Sequence, residues 1–87
     1  MKITDLKSFG PKSEAMLADI GITSAEAFLA MDPYDVYAKL VTHGYSGNLN
    51  MMYAILSAHD DIDWLEIAQT RKMEILLRLD DMGLAPN

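Results

Sequence analysis

Gly10, Pro11, Lys12 and Ser13 form the first constellation with a chemical use. Proline suits the first position of a helix, where its missing N–H costs nothing. A helix starting there leaves the amides of Lys12, Ser13 and Glu14 without intrahelical partners, and its dipole favours an anion in front of them. Lys12 adds a full charge and Ser13 a hydroxyl, with Lys7 just upstream. Such a surface can meet a protein partner or a nucleic-acid backbone, and a small anion is a third use. A backbone contact of this kind carries no base readout.

The other chemically suggestive stretch is "HDDIDWLE", where His59, Asp60, Asp61, Asp63 and Glu66 crowd nitrogen and oxygen donors together. It lacks the central glycine and the terminal glutamate of a calcium-binding helical loop. His43 and His59 lie too far apart in sequence for the two-histidine zinc pattern on one helix. A solvated acidic loop without metal is expected. No cysteine is present, and neither a G-x-S-x-G turn nor a phosphate-binding loop occurs. The neighbouring carboxylates Asp60–Asp61 and Asp80–Asp81 would point apart on a helix. A non-enzymatic chain without cofactor follows as the expectation.

Charge weighs on the choice between partners. Thirteen acidic residues against seven basic ones give a net charge of −6, whereas a protein that neutralises several phosphates needs a basic surface. Lys2, Lys7 and Lys12 nonetheless make the first 13 residues locally basic, while residues 57–66 carry acids alone. With 87 residues, 51% of them apolar and 23% charged, the chain is expected to form one globular domain over residues 1–87. No apolar run approaches the ~20 residues of a membrane span, and the N-terminus has no leader-like apolar core. A cytoplasmic location is the expectation.

Six helical segments can place these residues, and no stretch alternates with period two. A first turn capped by Thr4 should point Leu6 and Phe9 inward and end at Gly10. A second helix from Pro11 carries Ser13, Met16, Leu17 and Ile20 on one face and closes at Gly21. Thr23 with Glu26 reads as a capping box for a third helix burying Ala25, Phe28 and Leu29. The fourth, after Asp32-Pro33, aligns Val36, Tyr37 and Leu40 and stops at Gly44. The fifth, from about Leu49 to Ala58, is apolar on nearly every side, as a central helix should be. Asp63 and Glu66 start a short turn holding Trp64 and Ile67, and a last helix spans Ala68 to Met82, burying Ile75, Leu76, Leu79 and Met82. The fold class is all-α, a compact domain of five to six helices with a helix-hairpin-helix-like N-terminal part.

DNA-binding hairpins of that type carry glycine at two turn positions; here Ser8 stands at the first and Gly10 at the second. Glu14 also lies where a phosphate would approach. A structural or protein-contact role is therefore favoured over nucleic-acid binding.

"FGPKSEAMLADIGITS", then "GNLNMMYAILSA", then Trp64 and a leucine-rich last helix resemble the C-terminal domain of the TfoX/Sxy family of bacterial competence regulators, over about Ile3 to Leu79. Gly10, Pro11, Lys12 and Ser13 match that family's pattern position by position. The resemblance implies a non-catalytic regulatory role through a protein partner, either a transcription regulator or a separate protein with the family's N-terminal domain, which this sequence does not contain. Full-length members act beside the cyclic-AMP receptor protein at competence promoters.

Asn50 is the strongly polar side chain within the greasy helix, and a structural part is expected of it, as helix cap or loop tie. Met16, Met52 and Met82 fit buried stripes, whereas Met31 and Met51 are the expected exposed methionines, available for a homodimer contact.

Overall fold

In the computed structural model, which describes residues 1–86, a 3-10 turn at Ile3–Asp5 precedes six helices. These are α1 Pro11–Asp19, α2 Ala25–Leu29, α3 Pro33–His43, α4 Leu49–Asp60, α5 Trp64–Thr70 and α6 Lys72–Asp81. No strand occurs among the described residues, so the all-α expectation holds.

Local chemistry explains most of the boundaries. Pro11 and Pro33 each take the first position of a helix. Asp32 caps α3 by accepting the Tyr34 N–H at 2.8 Å, and Asp63 caps α5 by accepting that of Leu65 at 2.8 Å. After α1, Gly21 takes φ +85, a left-handed conformation that lets the Ile22 N–H reach back to the Leu17 carbonyl at 2.9 Å. Each such device satisfies terminal backbone groups that would otherwise be left without partners.

α4 is the central helix, as its all-round apolarity predicts. Met52, Ile55 and Leu56 are buried, and α3 and α5 pack along it. α3 contributes Val36, Tyr37 and Leu40; burial pushes the Tyr37 phenol pKa upward. α2 adds Phe28, α1 Leu17, α5 Ile67, and α6 Ile75 and Leu79, making one continuous core. Each fully buried aliphatic or aromatic side chain contributes about 1.5–3 kcal/mol. Beside α3 the loop comes so close that a Cβ on Gly47 would run into the Tyr37 hydroxyl and Val41.

Five local expectations are corrected. Thr4 lies inside the first turn, whose deepest residue is Ile3; the turn is closed by Asp5 accepting the Lys2 N–H at 2.9 Å. Ser24, not Thr23, caps α2 by accepting the Ala27 N–H at 3.1 Å, and Glu26 reaches the N-terminal ammonium at 3.1 Å instead of closing a capping box. Leu29 is exposed, at the edge of the face that Ala25 and Phe28 bury. The last helix is not continuous from Ala68 to Met82: it breaks at Arg71, with φ −121 and ψ 7, into α5 and α6. Finally, Met31 and Met51 are half-buried against the core, as are Met16 and Met82; the exposed methionines are Met1 and Met73. Met73 shares the outer face of α6 with Leu77, opposite Ile75 and Leu79.

Candidate functional site

The corner before α1 is built by Ser8 rather than by glycine freedom at Gly10. Ser8 adopts φ +64, the left-handed conformation open to the first glycine of a helix-hairpin-helix turn. Its hydroxyl lies 2.9 Å from that of the buried Ser57 on α4. Ser57 spends its own proton on the Ile62 carbonyl at 2.6 Å, so Ser8 must be the donor of the pair. This side-chain bond offsets part of the cost of a left-handed serine. Gly10, by contrast, has φ −140 and ψ −165, extended backbone that any residue adopts, and an added Cβ would meet nothing. Between them Phe9 turns inward, its ring edge-on to Phe28 at 5.1 Å.

Beyond the corner, Pro11 begins α1 and no side chain caps its first turn. Lys12 is exposed and Ser13 half-buried, and the Glu14 amide, expected to be free, instead donates to the Gly10 carbonyl at 3.0 Å. Lys7 does not join them: its ammonium lies 3.8 Å from Asp61, at the other end of α4. Glu14 occupies the first turn of α1 and is exposed.

Lys12 and Ser13 overlook a groove of about 440 Å³ running beside α1, α4 and the loop between α3 and α4. The gap has a simple origin: α1 packs chiefly on the first turn and α3, whereas α4 packs on α3 and α5. Phe9, Met16, Leu40, Met51 and Ile55 give it an apolar floor. Ser46, Asn48 and Asn50 supply the opposite rim. Of the predicted site residues, Lys12, Ser13 and Asn50 thus share one surface, while Lys7, Gly10 and Pro11 do not line it.

The expectation that Asn50 could cap α4 is corrected. The cap of α4 is Asn48, extended at φ −155 and ψ 168, whose side-chain oxygen accepts the Met51 N–H at 2.8 Å. Asn50 stands two residues further on, already inside the helix, and is exposed. It lines the groove.

Tyr45 closes one end, a part its sequence context does not reveal. Its hydroxyl donates to the Asp19 carboxylate at the end of α1, and its ring stacks on His43 at 6.1 Å. That hydrogen bond, with lesser help from desolvation and the carboxylate charge, raises the phenol pKa above its ordinary value.

The "HDDIDWLE" cluster is spent on structure. The His59 ring reaches Asp60 through Nδ1 at 2.9 Å and the Met31 carbonyl through Nε2 at 2.9 Å, while Arg71 meets the other Asp60 oxygen at 2.9 Å. Burial pushes the Asp60 carboxyl up, but hydrogen bonds from His59 and Arg71 and their charges more than offset it, so the pKa lies below its ordinary value. Among the described residues, no three acidic or histidine side chains gather as a metal site.

A family model described as the TfoX C-terminal domain matches residues 1–79. The crystal structure of an uncharacterized protein from Listeria monocytogenes superposes with a TM-score of 0.81 at 17% identity, covering 100% of both chains. At that identity the likeness concerns the fold alone. No curated protein matches the chain.

Proposed function

We infer a function from one premise: the chain belongs to the TfoX C-terminal domain family. Membership suggests a competence-regulator-like module. Within that frame we propose a non-enzymatic interaction domain that binds a protein partner across the α1–α4 groove, in the service of transcriptional regulation. One observation carries this reading. Beside the hairpin corner lies an apolar floor with a polar rim, not the continuous basic face that a phosphate backbone requires. Lys7 is drawn to Asp61, which leaves Lys12 as the cation at the corner.

A photo-crosslinking side chain placed at Asn50, with a second at Lys72 on α6 as control, tests the reading in the host cell. A discrete protein adduct from position 50 that is absent from position 72 is the expected result. Equal or absent adducts at both positions would sink the groove as a contact surface.

DNA binding keeps one observation in its favour, the uncapped first turn of α1 beside Lys12. That reading requires an affinity that falls steeply with salt and weakens in Lys12→Ala. No retardation of labelled duplex at low salt removes it.

A further inference from the structure

The charge composition of the groove says more than its shape. The chain carries thirteen acidic residues, yet none of them lines the groove. Among the described residues, its one charged lining residue is Lys12. Ser13 places a neutral hydrogen-bond donor beside Lys12, Asn50 places another on the opposite rim, and the floor between them is aliphatic and aromatic. Met16 and Met51 flank that floor, and their unbranched, polarisable side chains adapt to a guest's outline. About 440 Å³ falls in the range of small-ligand sites, which are mostly apolar with a few convergent polar groups.

We propose that the groove is a binding site for a small carboxylate with an apolar tail, its head at Lys12 and Ser13 and its tail over Met16, Leu40, Met51 and Ile55. One cation matches one negative charge. An ammonium head would meet Lys12 as a like charge. The binding itself stands apart from the partner reading; only the consequence, that an occupied groove excludes a protein partner, rests on it.

The test titrates the full chain with sodium decanoate below its micelle concentration and follows backbone amide shifts. Decylammonium and acetate serve as matched probes for the head and the tail. Saturable shifts confined to residues 9, 12–17, 40 and 45–55 are expected with decanoate, and none with acetate. Decylammonium should bind several-fold more weakly. Lys12→Met should weaken decanoate about two- to fivefold, as befits an exposed ion pair, while leaving decylammonium no weaker. Ala54 also lines the groove, and Ala54→Phe, which fills it, should abolish binding; the thermal melt of this variant checks that it folds, and Lys12→Met keeps the test open if it does not. Absence of saturable decanoate shifts, equal binding of the two head groups, or shifts centred on Met73 and Leu77 would overturn the proposal. Failure here with a specific crosslink at position 50 removes the ligand and leaves the partner surface standing. Saturable binding without any crosslink does the reverse.

Discussion

The corner at Ser8–Pro11 and the break at Arg71 both redirect a helical chain, yet they are held by different means. Before α1, the instructions are adjacent in sequence: a left-handed serine, an extended glycine, and a proline that can only begin a helix. Between α5 and α6 there is neither glycine nor proline. Thr70 instead turns its hydroxyl back to the Glu66 carbonyl at 2.7 Å, competing locally with helical pairing, and the Arg71 guanidinium is pulled to Asp60 on α4. One corner is written locally and then tethered, through Ser8 and Ser57; the other joins a local hydroxyl bond at Thr70 to a distant partner, Asp60. The comparison explains why the first presents a surface. Its backbone geometry does not consume the amides of Lys12 and Ser13, whereas the side chains at the second are spent on holding the break.

The two corners share one support, and the largest effect is expected there. Phe28 lies edge-on to Phe9 at 5.1 Å and to His59 at 5.7 Å, next to the Asp60–Arg71 pair. Phe28→Ala should cost about 3–5 kcal/mol in chemical denaturation and speed amide exchange at both corners. Loss at one corner only would show that they are not joined through this ring.

Ser57→Ala separates them. It removes the acceptor of Ser8 and the donor to Ile62, and should cost about 1–2 kcal/mol. Amide exchange should quicken at residues 8–13 while residues 70–73 stay unchanged. Uniform quickening would mean that the tether belongs to the whole core.

Arg71→Ala is the reciprocal change, at about 1 kcal/mol or less for a partly exposed pair. Its mark is pH dependence. Because the Asp60 carboxyl is lowered in the folded state, its contribution is complete above about pH 4 and is lost as pH falls through the lowered value. The difference in melting temperature between wild type and Arg71→Ala should therefore shrink on acidification below about pH 4. A difference independent of pH would assign the break to Thr70 alone.

The smallest effect is expected at Gly10. Its extended conformation and open surroundings admit a side chain, and asparagine caps a helix better than glycine does. Gly10→Asn should raise stability by a few tenths of a kcal/mol. A loss of stability would restore glycine as a requirement of the corner.

Much of the fold is legible because its boundaries rest on short-range chemistry. Pro11, Gly21, Asp32-Pro33 and Asp63 act within one turn of themselves, and the greasy α4 declares its central place by having no polar face. Finer placements were not legible. Thr23 and Ser24 are both competent caps, and a one-residue shift decides between them; Ile3 sits in a turn too short to show a period. At the candidate site, Lys12 and Ser13 could be named from the helix start. The part played by Tyr45 could not, because its partner Asp19 lies 26 residues away.

By itself the sequence determined an all-helical chain, a proline-led α1 with an outward-facing start, and a central apolar helix, since each follows from propensity, capping or periodicity among near neighbours. Only tertiary structure decided that Ser8 would stand in for a glycine, that the last helix would break at Arg71, and that Lys12, Ser13 and Asn50 would share one groove. Those outcomes depend on side chains far apart along the chain, and on the space left where α1 and α4 each pack more closely on other elements.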